Sequence, residues 1–201
     1  MLSVPHEEGR LAFLGALDHF LAAVEPLDDH ALLGASRCWG WTVVDVVTHV
    51  RLGLEEVAAC LLTAGSSTAA PGLDSATYWL AQAAPGDADE LAGLLTIRRV
   101  ASATWAPSTS VTLLRQVTTG LRSSVRRLPE GVVQFQGGVL ATGDLFATWA
   151  VELAVHQLDL AREVDVAPPT ADALALARRT VDALAASGLA VPAFAERLPA
   201  P

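Results

Sequence analysis

The stretch TWAVELAVHQLDLARE, residues 148–163, is apolar apart from a few ionisable side chains that recur at helical spacing. Glu152, His156 and Asp159 are four and three residues apart, so a helix places them on one face. Burying a carboxylate and an imidazole is costly unless each has a partner. The stretch therefore predicts a helix whose polar groups meet a partner from elsewhere in the chain.

Length and charge limit the class of protein. A chain of 201 residues is long enough for one domain with a sizeable core. Its net charge of -9 argues against a nucleic-acid-binding protein, which needs a basic face. No apolar run approaches the roughly 20 residues that cross a bilayer, and the N-terminal MLSVPHEEGR does not resemble a signal peptide. We therefore expect a cytoplasmic protein with no membrane association.

The reactive side chains exclude some chemistries. All 13 basic residues are arginine, so a Schiff-base lysine is excluded. Cys38 and Cys60 are too few for a disulfide framework and form no CxxC motif. Cys60 comes eleven residues after His49, about 16 Å along a helix axis, which is too far for a shared metal ion.

Helical periodicity, interrupted by Pro, Gly and Ser, predicts an all-α bundle. Thr42 and Asp45 form a capping-box pattern at the start of the second helix, and Trp39 and Trp41 are expected to pack at its entry. Residues 130–144 predict a small hairpin or an extended connection. The predicted helices cover about 7–24, 43–62, 75–83, 87–104, 110–128, 144–164 and 171–187.

A metal site is one interpretation of the ionisable residues. Glu152 and His156 could both reach one divalent ion and are common zinc ligands, although such a pair alone is weak evidence. His49, midway along the apolar second helix, is either a hydrogen-bonded core histidine or a third ligand from a facing helix. Three protein ligands would leave one coordination position open, as in catalytic sites. The remaining histidines lie in the N-terminal fringe or at predicted surface positions: His6, His19 and His30.

Two segments about a hundred residues apart carry a family resemblance. WTVVDVVTH (Trp41–His49) and ELAVHQLDLARE (Glu152–Glu163) together resemble the N-terminal domain family of mycothiol-dependent maleylpyruvate isomerase, within the DinB-like metal-binding superfamily. The resemblance implies an antiparallel four-helix bundle, here expected over residues 1–166. Residues 167–201 would form a helix and tail packed on it. The resemblance also implies that His49, Glu152 and His156 bind a divalent metal ion, with zinc the expected ion.

Two carboxylates lie one turn from these ligand candidates. Asp159 either accepts a hydrogen bond from the second ring nitrogen of a ligating histidine, or is a surface or interhelical residue. Asp45 is expected to cap its helix.

The resemblance also implies a chemistry. A low-molecular-weight thiol, mycothiol in the family, would be activated at the metal and attack a small electrophile, for isomerisation or for S-transfer. The characterised isomerases have a second domain after the bundle, whereas only a short helix and a tail follow Val164 here. That second domain helps to enclose the thiol, so the sequence leaves open whether mycothiol is used here, and it does not choose between isomerase and transferase activity. Three arginines either bind a carboxylate of substrate or thiol, or form a solvated face: Arg98, Arg99 and Arg115.

Two other functions fit the same residues. The chain could be a non-catalytic metal-binding bundle with a role in stress or sensing. Alternatively, the three candidate ligands could form a metal-free hydrogen-bonded cluster in an interaction protein. Helical bundles with apolar outer faces often pair, which leaves open a homodimer.

Overall fold

The computed structural model describes residues 1–65, 69–81 and 87–200, and most of these residues are helical. The end of the helix that the sequence predicts over residues 75–83 lies outside the described residues. A 3-10 helix, Ala193–Arg197, follows the last α-helix. In chain order, the elements of the described residues are α1 (His6–Val24), α2 (Asp29–Leu32), α3 (Val43–Leu61), α4 (Tyr78–Ala81), α5 (Asp87–Ser102), α6 (Pro107–Arg127), β1 (Val132–Phe135), β2 (Gly138–Ala141), α7 (Thr142–Leu160) and α8 (Ala171–Ala186).

Four long helices, α1, α3, α6 and α7, form the bundle. Helix α1 lies along α7, and α3 lies along α6. Within each pair the N-terminal halves are neighbours, since Phe13 stacks on Phe146 and Thr48 contacts Ser110. Each of these two pairs is therefore parallel.

The two pairs run in opposite directions. Helix α6 crosses α1 with Arg115 paired to Glu25 and Arg122 paired to Asp18, so the two chain directions are opposed. The long connection from α3 to α6, which contains α4 and α5, returns the chain to the end where α3 began. The all-α bundle predicted from the sequence is confirmed, and its antiparallel neighbours are α1 with α6 and α3 with α7.

The predicted hairpin joins α6 to α7. Strands β1 and β2 pair in antiparallel register from Val132 opposite Ala141 to Phe135 opposite Gly138. The two loop residues, Gln136 and Gly137, both have positive φ, as a tight hairpin turn requires. The Gly-Gly pair of the sequence therefore marks this turn.

Local signals place the start of α3 correctly. The Thr42 side chain accepts a hydrogen bond from the Asp45 amide, and the Asp45 carboxylate accepts one from the Thr42 amide. The capping box is confirmed, and Asp45 is the helix cap that the sequence predicts.

The predicted helices need three corrections. Helix α6 begins at Pro107 rather than at residue 110, because proline suits the first turn of a helix. Helix α7 ends at Leu160 rather than at residue 164, since the next residues turn away and Glu163 accepts a hydrogen bond from the Ala35 amide. Between α1 and α3, where the sequence predicts no helix, the structure has the short helix α2, capped by Asp28.

The apolar faces of the helices meet in one core. Fully buried side chains include Phe13, Phe20, Leu54, Leu114 and Phe146. No helix in the described part of the chain is both long enough and apolar enough to span a lipid bilayer.

The C-terminal elements pack on the bundle. Helix α8 contacts α7 and α1, and the 3-10 helix contacts α7 and α8. Phe194 in the 3-10 helix is buried against Trp79, with ring centroids 4.8 Å apart. The division into residues 1–166 and 167–201 stays a prediction, although these contacts place the C-terminal segment beside α7.

Candidate metal centre

Helices α3 and α7 bring His49, Glu152 and His156 together. Oε1 of Glu152 lies 3.2 Å from Nε2 of His49 and 3.2 Å from Nε2 of His156. One donor atom from each of the three residues lies within 4.8 Å of the other two. Two imidazoles and one carboxylate, from segments a hundred residues apart, therefore point to one place.

A glycine allows the two helices to approach. Gly53 lies one turn after His49 on α3, and a Cβ atom built on it would lie 2.2 Å from Cη2 of Trp149 on α7. Trp149 in turn lies one turn before Glu152. The missing side chain of Gly53 therefore lets α3 pack close enough for His49 to reach Glu152.

The arrangement fits a divalent metal ion. A tetrahedral site with bonds of 2.0–2.1 Å has ligand atoms about 3.3 Å apart, and two of the three separations here are 3.2 Å. Nitrogen and oxygen ligands of this kind suit zinc. The side chains of His49, Glu152 and His156 are 34%, 21% and 12% exposed, so one side of the cluster is open to an adjacent cleft.

Asp159 lies behind His156 and is fully buried. Its Oδ2 is 3.1 Å from Nδ1 of His156, so it can accept a hydrogen bond from Nδ1–H, which leaves Nε2 as the ligand nitrogen. Arg197 contacts both carboxylate oxygens, with Nη1 3.2 Å from Oδ2 and Nε 3.2 Å from Oδ1. The contact to His156 is the one that the sequence proposed, and a supporting role in metal binding stays a prediction.

The charges of the cluster are strongly coupled. Burial opposes ionisation of Glu152, but the two imidazoles, His156 above all, hold its pKa well below the usual range. Burial likewise opposes protonation of His156, but the carboxylates of Glu152 and Asp159 raise its pKa well above the usual value. Burial would raise the pKa of Asp159, yet contacts with His156 and Arg197 lower it. The two carboxylates therefore favour the protonated form of His156, and a metal ion bound at Nε2 would take the place of the proton there.

Sequence reasoning missed two neighbours of the cluster. Arg197 lies in a segment interpreted only as a tail, although Phe194 three residues earlier hinted at one helical turn with an apolar and a polar side. Cys38 was given no role, yet its Sγ lies 3.1 Å from Oδ2 of Asp159. Cys38, His156 and Asp159 also meet the geometric condition for a metal-binding group, but Arg197 already pairs with the carboxylate.

The two tryptophans before α3 behave differently. Trp41 packs against the core and against His49, with ring centroids 5.2 Å apart. The sequence predicts that Trp39 also packs at the entry of α3, and this prediction is wrong because the residue is 70% exposed. Gly40, with a φ of +72°, turns the chain between them. The turn at Gly40 therefore lets the Trp41 ring pack against the core and leaves the Trp39 ring exposed.

The other residues proposed from the sequence lie away from the three ligand candidates. His19 and His30 are exposed, as expected, and His6 contacts the Thr142 hydroxyl. Arg99 is exposed, and Arg115 pairs with Glu25 on the surface. Arg98 donates hydrogen bonds to Asp45 and to the Gly40 carbonyl.

The two cysteines should differ in reactivity. Burial raises the pKa of the Cys60 thiol to about 12, so very little thiolate forms at neutral pH. Cys38 is half-buried and lines the cleft. We expect iodoacetamide to modify Cys38 in the folded protein and to modify Cys60 only after unfolding in guanidinium, as measured by peptide mass spectrometry. Equal modification rates in the folded protein would contradict this placement.

The chain is similar to known proteins in its sequence and in its fold. The family model described as "Mycothiol maleylpyruvate isomerase N-terminal domain" matches residues 13–161. A crystal structure of the mycothiol-dependent maleylpyruvate isomerase has 16% identity and a TM-score of 0.64. A histidine-to-alanine mutant of that isomerase has 15% identity and a TM-score of 0.63. Each alignment covers 94% of this chain and 76% of the other.

At this level of identity, the structural comparison supports the fold alone. No curated protein sequence matches the chain significantly. The family model nevertheless spans most of the chain, and the resemblance seen in the sequence is confirmed. The chain belongs to the mycothiol maleylpyruvate isomerase N-terminal domain family.

Proposed function

We propose that this protein is a metal-dependent enzyme that activates a low-molecular-weight thiol, mycothiol or a close relative, for isomerisation or S-transfer on a small electrophile. The observation that carries the proposal is the convergence of His49, Glu152 and His156 beside an open cleft. Their donor atoms match the spacing and chemistry of a zinc site. Family membership adds that a related protein is mycothiol-dependent by name.

Each residue has a separate task in this proposal. His49 and His156 would bind a divalent ion through Nε2, and Glu152 would bind it through Oε1. When bound, such an ion supplies the positive charge that favours the thiolate form of a thiol near neutral pH. Asp159 would hold the proton of His156 on Nδ1, and Arg197 would hold Asp159 in place. One carboxylate and two neutral imidazoles leave one positive charge on the ion uncompensated, which suits an anionic thiolate.

A cytoplasmic location belongs to the same proposal. Low-molecular-weight thiols stay reduced in that compartment, and disulfides are rare there. The chain's two cysteines are both free, in keeping with a reducing environment.

Metal analysis of protein purified without a histidine tag tests the ligand set. After reconstitution with zinc and gel filtration, wild type and His19→Ala should each retain about one ion per chain, by mass spectrometry of the metal. His49→Ala should retain far less, because one of three ligands is gone. His19→Ala is the matched control, since it removes an exposed imidazole. No retained metal in wild type, or equal retention in His49→Ala, would favour the metal-free hydrogen-bonded cluster.

A thiol assay then separates the enzyme from a non-catalytic metal-binding bundle. Metal-replete protein is incubated with mycothiol and either maleylpyruvate or 1-chloro-2,4-dinitrobenzene. Isomerised product or S-conjugate should form faster than without protein, and Glu152→Ala should remove the acceleration. Stoichiometric metal with no acceleration for either electrophile would favour the stress or sensing alternative.

A further inference from the structure

An apolar cleft of about 580 Å³ opens beside the candidate metal centre. We call it the tryptophan cleft. Its apolar walls are formed by Trp39, Trp41, Leu94 and Ile97, and the rings of His49 and His156 also line it. A volume of this size holds a drug-sized molecule, and mostly apolar walls are usual for such sites. The cleft therefore has the size and surface of a small-molecule site in contact with two of the candidate ligands.

Both sides of the cleft are held by packing. Trp41 lies against His49, and Leu94 and Ile97 come from α5, which contacts α3. A Cβ atom built on Gly40 would lie 2.6 Å from Cδ1 of Leu94, so the turn between the two tryptophans touches α5 directly. The ring of Trp39, which is exposed and does not pack in the core, therefore lies at the mouth of the cleft.

The charges around the cleft are already paired. Arg197 is the one arginine among the described residues that line it, and both of its contacts go to the fully buried Asp159. Arg98, which follows the cleft residue Ile97, is occupied by Asp45 at 3.1 Å and by the Gly40 carbonyl. A metal ion at His49 and His156 would offer one uncompensated positive charge. A ligand with two carboxylates would still need a second free cation here, because a buried charge without a partner is costly.

We propose that the tryptophan cleft takes an uncharged compound with an aromatic or alkyl body, rather than a small dicarboxylate. The binding of this compound to the cleft is independent of the proposed function. Its role as the electrophile of the reaction rests on the proposed function. The aromatic body would lie between the indole rings and the α5 side chains, with its polar end toward His49 and His156.

Isothermal titration with two unreactive probes tests this proposal. The probes are 4-phenylbutan-2-one, which is uncharged and aromatic, and succinate, which carries two carboxylates. Neither reacts with the Cys38 thiol in the cleft. The full-length protein is titrated as zinc-reconstituted material and again after removal of metal with a chelator. We expect saturable binding of 4-phenylbutan-2-one in both forms, at least about ten-fold tighter than that of succinate.

Matched variants locate the binding. Trp39→Ala should weaken binding of 4-phenylbutan-2-one at least about five-fold, whereas Trp105→Ala, which removes a 99% exposed ring outside the cleft, should not. Ile97→Glu should also weaken binding of 4-phenylbutan-2-one, whereas Leu95→Glu, on the same helix but outside the cleft, should leave it unchanged. All four positions are half-buried or exposed, so the variants are expected to fold, and circular dichroism checks this.

Three outcomes would overturn the proposal: no saturable binding of 4-phenylbutan-2-one, tighter binding of succinate, or equal weakening by the control variants. These outcomes are separate from a failure of the proposed function. If metal or thiol dependence fails but the uncharged probe binds as described, the cleft assignment stands. If metal and thiol dependence hold but the probe does not bind, only the cleft assignment falls.

Discussion

Replacing Glu152 by glutamine is expected to lower the affinity for zinc by more than about 100-fold while leaving the fold intact. Glutamine keeps the size of the side chain and removes the only negative charge among the three candidate ligands. Oε1 of Glu152 is also the atom that faces both imidazole Nε2 atoms at 3.2 Å. Competition with a chromophoric chelator at constant pH measures the affinity, and circular dichroism checks the fold.

Glu56→Gln is the control for this prediction. Glu56 lines a cavity together with Glu152 and His49, but it contacts Gln136 rather than the candidate ligands. Its replacement makes the same chemical change a short distance away and should alter zinc affinity only slightly. A Glu152→Gln protein that binds zinc as tightly as the Glu56→Gln protein would remove Glu152 from the ligand set.

Replacing Gly9 by alanine is expected to destabilise the protein by about 3 kcal/mol. A Cβ atom on Gly9 would lie 2.2 Å from the carbonyl oxygen of Gly143, at the point where the first turns of α1 and α7 touch. The obstructing atom belongs to the backbone, so the two helices would have to separate. Urea unfolding followed by circular dichroism measures the loss.

Gly15→Ala is the matched control on the same helix. A Cβ atom at that position would meet nothing within 4 Å, so alanine should raise stability by about 0.5–1 kcal/mol through its better helix propensity. Destabilisation of similar size in both variants would show that glycine matters for α1 in general. The close contact with α7 would then not be the reason.

The local features of the bundle could be predicted from the sequence. The capping box at Thr42 and the Gly-Gly hairpin each depend on residues within a few positions of one another, and both are found where expected. The end of α7 could not be predicted in this way. The chain leaves the helix at Leu160 because later residues bind the segment before α3, which is more than a hundred residues away in sequence.

The same distinction holds at the candidate site. The spacing of Glu152, His156 and Asp159 determines that they share one helical face, because that relation is local. The motif resemblance selected His49 from five histidines as their companion. Neither the spacing nor the motif indicated Arg197, which reaches Asp159 only because Phe194 anchors the C-terminal turn beside α7.

The sequence alone determined the helical class, the main elements and the three side chains that meet between α3 and α7. Hydrophobic period, caps and turn residues act over a few positions, so they can be recognised without a structure. The tertiary structure decided how close those side chains come, which arginine supports them, and why Trp39 faces a cleft rather than the core. Those features depend on contacts between distant segments, such as Gly53 with Trp149, and no local pattern encodes them.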